Sequence, residues 1–192
     1  MRNNHLAGVF LLMFLILGNM NVSGQSKTHE FGLRFTSLNN FDFVYKKGKK
    51  ENKFTRFRLG LANIAFQQST TSKRYSFSFG FAIGLEKRSK ISERLYFIHG
   101  IEPTLSFSTQ YVDIEDGPND YSSNTSVGIG YVLGFQYDIS ETFYVNIESI
   151  PNLSGTFWTD NDGFNDNYTI NAGFNSNSIA FSLVYRFTES EL

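Results

Sequence analysis

Apolar and polar positions alternate with a period of two along much of this chain. In residues 75–86 the odd positions are Tyr75, Phe77, Phe79, Phe81, Ile83 and Leu85; the even ones are Ser76, Ser78, Gly80, Ala82, Gly84 and Glu86. Successive side chains of a strand point to opposite faces, so this is a strand with one greasy face. Residues 127–139 repeat the pattern, with Val127, Ile129, Tyr131, Leu133, Phe135, Tyr137 and Ile139 set between Gly128, Gly130, Val132, Gly134, Gln136 and Asp138. The same reading places six further strands, at about 29–38, 41–47, 54–67, 95–109, 143–157 and 168–187. Two of them change parity, between Leu61 and Ile64 and near Asn175–Ser178, where one extra residue would form a bulge. Pro151 marks a third irregularity, because proline cannot donate to a ladder.

The connections alternate as well. Short ones are expected at 48–53, 89–94 and 140–142, and longer ones at 68–74, 110–124 and 158–167. Leu38–Asn40 reads as a first hairpin; read as a bulge, it would lower the strand count to seven. Eight strands with this rhythm predict an all-β fold, an eight-stranded antiparallel up-and-down transmembrane β-barrel with its short turns and both termini in the periplasm.

Alternation alone does not say which face meets the core. The small face is built from Gly, Ser and Ala, as the crowded lumen of an eight-stranded barrel requires. By parity it also carries charges of both signs: Arg34, Arg56, Arg58 and Arg186 with Glu86, Glu102 and Glu148. Buried charges persist when they are paired, so these seven are expected to form a lumenal ion-pair network. The greasy face ends in Tyr45, Tyr75, Phe107, Phe143, Tyr168 and Phe187, the aromatic girdles of a barrel whose outer face meets lipid. Residues 1–24 read as a secretory signal, with Arg2, an apolar run from Leu6 to Leu17 and Val22-Ser23-Gly24 ahead of a cleavage site. Residues 25–192 then form one barrel domain, expected in the outer membrane of a Gram-negative bacterium.

Composition narrows this further. Formal net charge is −1, which gives no basic surface to attract nucleic acid. Cysteine is absent, which removes disulfides, thiolate metal sites and a lipid-modified N-terminal cysteine.

The segments Phe31–Leu38 (FGLRFTSL), Tyr75–Lys87 (YSFSFGFAIGLEK), Val127–Tyr137 (VGIGYVLGFQY) and Ile179–Phe187 (IAFSLVYRF) resemble strands of the outer-membrane β-barrel domain families common in Bacteroidota. The resemblance is one of pattern and covers nearly all of 28–187. It implies outer-membrane lipid and, during biogenesis, the barrel-assembly machinery as partners, with the protein a monomer. The last strand resembles the terminal signal read by that machinery, except that Thr188–Leu192 follow the final aromatic Phe187.

Catalytic and cofactor chemistry is sparse. No cofactor or metal site is expected: there is no HxH or HExxH spacing. His99 with a serine is the one candidate for lipid-modifying catalysis, and Ser106 is seven residues away, about 23 Å along a strand. Asp160–Asn167 is rich in oxygen but places Phe164 at a ligand position of a calcium loop, so it reads as a turn. Lys46–Lys53 reads as a solvated periplasmic turn, with contact to anionic headgroups the lesser alternative. The leading function is a small non-enzymatic integral outer-membrane barrel, porin-like in architecture, with a filled lumen and exposed loops in a structural or surface-interaction role. The alternatives are a lipid-modifying outer-membrane enzyme and a soluble periplasmic lipocalin-like barrel.

Overall fold

The computed structural model describes residues 28–37, 40–50, 52–115, 117–161, 163–174 and 179–188. The expected signal segment 1–24, the turn residues Leu38 and Asn39, and the terminal Glu189–Leu192 lie outside them.

Ten strand segments form one antiparallel sheet: β1 (Thr28–Ser37), β2 (Asn40–Lys50), β3 (Lys53–Gln68), β4 (Ser72–Lys90), β5 (Leu95–Ile114), β6 (Asp120–Asp138), β7 (Phe143–Ser149), β8 (Asn152–Asp160), β9 (Gly163–Gly173) and β10 (Ile179–Thr188). Both β7 and β8 pair with β6, so they are two halves of one barrel strand interrupted at Ile150 and Pro151. Segments β9 and β10 pair with β8 and β7 respectively and form the last strand. Pairing of β1 with β10, from Thr28↔Thr188 to Phe35↔Phe181, closes eight strands into a barrel. Ser37 pairs with Asn40, so the first connection is a hairpin and the count is eight.

Two of the irregularities fall where parity changes. Between Gly60↔Gly80 and Asn63↔Ser78, β3 advances three residues while β4 advances two, which is one extra residue. Across the last interruption, Ala180 pairs with Glu148 and Gly173 with Asn152, so the last strand advances 180 − 173 = 7 residues against 152 − 148 = 4. The excess is three residues where the sequence suggests one; any odd number restores the parity. Pro151 adds none, since Leu133↔Ser149 and Gly130↔Asn152 keep one register across it.

The expected long loops are mostly strand. Pairing of β5 with β6 continues to Val112↔Asp120, and β4 with β5 to Ser72↔Ile114. β4, β5 and β6 are 19, 20 and 19 residues long. About 9–11 tilted residues cross a bilayer, so these strands continue well beyond one. Sequence alternation stops short because outward positions such as Thr109, Ser123 and Thr125 are polar above the belt, leaving both faces wet and the pattern flat.

The sheet is inside out relative to a soluble barrel. Outward residues including Leu85, Ile147 and Phe181 are exposed, while charged side chains occupy the buried interior. An apolar exterior around a polar interior is the arrangement of a membrane-spanning barrel.

Candidate functional site

The lumen carries one connected set of charges to which all eight barrel strands contribute. At its centre the guanidinium of Arg56, fully buried, faces three carboxylates: Glu102 at 2.8 Å, Glu148 at 3.0 Å and Glu86 at 3.3 Å. The Glu102 contact, through Nε, is an ion pair rather than an aligned hydrogen bond. Above it, Arg34 Nε donates to Glu148 at 2.6 Å, and Arg34 and Arg58 each donate to Asp42 at 3.0 Å. Arg58 also donates to Glu102 at 2.7 Å. Towards the termini, Lys46 lies 2.8 Å from Glu86, and Arg88 donates to Glu86 and Glu30, both at 2.9 Å. The Tyr144 hydroxyl donates to Glu30 at 2.6 Å, and Arg186 Nε donates to Glu30 at 3.0 Å. Arg186 also approaches Asp138 at 3.5 Å.

Six cations (Arg34, Lys46, Arg56, Arg58, Arg88, Arg186) meet six carboxylates (Glu30, Asp42, Glu86, Glu102, Asp138, Glu148) in these described pairs. The balance is neutral, which is what permits so much charge in a buried space. Below it Phe54 stacks on the Arg88 guanidinium, 3.7 Å from ring centre to Cζ, at the end of the barrel that holds the termini.

All seven lumenal residues expected from parity, Arg34, Arg56, Arg58, Glu86, Glu102, Glu148 and Arg186, face the lumen, but not all share partners. Arg186 meets Glu30 and Asp138 rather than the other three glutamates. Sequence reasoning passes over Glu30, Asp42, Lys46, Arg88, Asp138 and Tyr144. The parity signal is present for them: Glu30 alternates with Phe31, and Arg88 lies two residues beyond Glu86. Lys46 corrects the reading of 46–53 as a solvated turn. It is 1% exposed, because β2 runs on to Lys50 and the turn begins later.

Glycine makes room for these side chains. Gly84 pairs with Arg56 across β3 and β4. A methyl group there would lie 2.6 Å from the Ile101 carbonyl oxygen and 3.2 Å from Arg56 Cγ.

Outside, aromatic rings link the strand ends near the termini. Phe143–Tyr185 centroids are 4.9 Å apart, Tyr185–Phe187 6.1 Å, Phe187–His29 5.5 Å, His29–Tyr45 6.0 Å and Tyr45–Phe57 5.9 Å. His29 Nδ1 lies 2.6 Å from the Tyr45 hydroxyl. His99 also faces outward, stacked on Phe97 with centroids 5.8 Å apart, and its cross-strand neighbours are Lys87 and Leu133. No serine stands opposite it on either side. Among the described residues no cluster of three or more His, Asp or Glu is arranged for a metal ion. In the oxygen-rich turn, Asn161 binds its neighbours: its Oδ1 accepts from the Tyr121 amide at 2.9 Å and its Nδ2 donates to the Asn119 carbonyl at 2.8 Å.

No family model and no curated protein matches this chain. Among solved structures it is similar to the attachment invasion locus protein Ail of Yersinia pestis, at 14% identity over 84% of this chain and 97% of that one, with a TM-score of 0.42. It is also similar to a major outer membrane protein from Thermus thermophilus, at 9% identity over 85% and 100% of the two chains, TM-score 0.49. A third is Neisserial surface protein A, at 13% identity over 84% and 93%, TM-score 0.33. The barrel is established by its own strand pairing, not by these likenesses.

Proposed function

We propose that the chain is a non-enzymatic integral outer-membrane protein whose barrel holds up a sheet for contact at the cell surface. The observation that carries this reading is the mismatch of lengths: β5 and β6 have 20 and 19 residues, while a tilted crossing uses about 9–11 of them. What continues above the belt on β5 and β6 is paired strand carrying Ser108, Gln110, Ser122 and Asn124 together with the exposed rings of Tyr111 and Tyr121. The neutral charge network fills the lumen below it, which argues against a wide channel. His99, facing lipid between Lys87 and Leu133, favours this reading over a lipid-modifying enzyme. An apolar exterior with a charged interior favours it over a lipocalin-like carrier. Membership of the outer-membrane barrel families common in Bacteroidota is supported by the strand pattern alone.

In the proposed orientation the turns 91–94 and 139–142 are periplasmic and the tips 69–71 and 115–119 face outside. The test is membrane fractionation with a heat-modifiability gel, followed by labelling of intact cells with an impermeant maleimide. Thr70→Cys should label and Ser92→Cys should not. A soluble protein, or labelling confined to Ser92→Cys, overturns the proposal.

A further inference from the structure

The aromatic girdle near the termini gives way to lysine beyond Tyr45 on β2 and Phe57 on β3. On β5, β6, β7, β10 and β1 the outward positions at that end include Phe97, Tyr137, Phe143, Tyr185, Phe187 and His29. On β2, β3 and β4 the corresponding outward positions are Lys47, Lys53 and Lys87. Lys53 and Lys87 are directly opposite each other, and Lys47 pairs with Thr55, two residues from Lys53 on the same face. Like charges opposite one another in a sheet destabilise it. The described outward positions of β1 to β4 carry no carboxylate, and none of the three lysines forms an ion pair among the described residues. The buried charges at this level, by contrast, point inward and are neutralised. Three lysines therefore lie on one side of the belt with no carboxylate partner among the described residues, beside exposed apolar surface at Leu85, which is 63% exposed.

We propose that Lys47, Lys53 and Lys87 form a seat for the phosphate of an anionic phospholipid in the periplasmic leaflet, with an acyl chain lying along Phe57 and Leu85. The charge complementarity is direct: lysine stems lie along the apolar belt while their ammonium groups reach the headgroup layer. A phosphate between them removes the repulsion across β3 and β4 and converts it into charge-assisted hydrogen bonds. The leaflet rests on the orientation proposed above; the seat itself does not.

The experiment places the purified full-length protein in nanodiscs of phosphatidylcholine and phosphatidylglycerol and measures retained lipid by native mass spectrometry. The wild type should retain phosphatidylglycerol preferentially. Each lysine near an anionic headgroup contributes about fivefold, so K87Q should weaken the preference by about that factor and the triple variant K47Q/K53Q/K87Q by on the order of a hundredfold. The triple arginine variant should keep it. A heat-modifiability gel verifies that each variant is folded. Equal retention of both lipids by the wild type, or undiminished preference in a folded triple glutamine variant, overturns the seat. Labelling of Ser92→Cys on intact cells overturns the orientation and the choice of leaflet, whatever the nanodisc result. Silence at Ser92→Cys without headgroup preference overturns the seat alone.

Discussion

Arg56 illustrates how much rests on single side chains in this lumen. It touches Glu86, Glu102 and Glu148 and has no exposure to water. Replacing it with Gln leaves three carboxylates with less positive charge than they need. Breaking a buried pair by removing one partner costs about 3–5 kcal/mol. Arg56→Gln should therefore lower the urea midpoint of the vesicle-inserted protein; an unchanged midpoint would show that the lumen is hydrated enough to screen these charges. Gly84→Val tests the space beside it. The new side chain meets the Ile101 carbonyl and the Arg56 stem, an overpacking that costs about 1–3 kcal/mol. The expected readout is a lower unfolding temperature on the gel. Asn161 belongs to the same scale, because its amide joins the β8–β9 turn to the β5–β6 tip. Two lost hydrogen bonds, at about 1 kcal/mol each, should speed cleavage of Asn161→Ala cells at Glu115 by a glutamate-specific protease roughly tenfold or more.

At the level of elements, legibility in the sequence tracks contrast between the two faces. Where one face meets lipid and the other the packed lumen, as in Tyr75–Glu86, alternation marks the strand almost residue by residue. Where both faces are wet, as at Gln110 and Ser122–Asn124, the contrast vanishes, and paired strand reads as loop. The charge network is legible as parity but not as partnership, because partners such as Arg34 and Glu148 are 114 residues apart in sequence. Lys46 escapes for a related reason: among neighbouring lysines, nothing local distinguishes the one that turns inward. The upper strands should be separable from the barrel. Replacing Gln110–Ser122 with Asn-Gly supplies a two-residue hairpin turn between Thr109 and Ser123. The shortened protein should still insert and remain heat-modifiable while losing surface contacts of the parent; failure to insert would show that the upper sheet is needed for folding.

For the whole molecule, a lumen closed by balanced charge sets two expectations. Planar bilayers containing the protein should show no sustained channel-sized conductance, and stepwise openings of porin magnitude would contradict a filled interior. Stability should also depend on charge balance more than on any one residue. Replacing Arg34 and Glu148 together by Met and Leu should cost less than replacing either alone, a non-additivity measurable by a double-mutant cycle.

The seam between β1 and β10 carries a consequence for how the barrel closes. Glu30 stands directly opposite Arg186 in the register and is bonded to it. A slip of two residues keeps every greasy side chain on the lipid side, so hydrophobicity alone does not forbid it. It does set Glu30 against Val184 or Thr188 and leaves Arg186 beside Gly32 or Thr28. The seam pair thus works as a proofreading mark on the final joining step: the first and last strands share one alignment in which opposite charges meet.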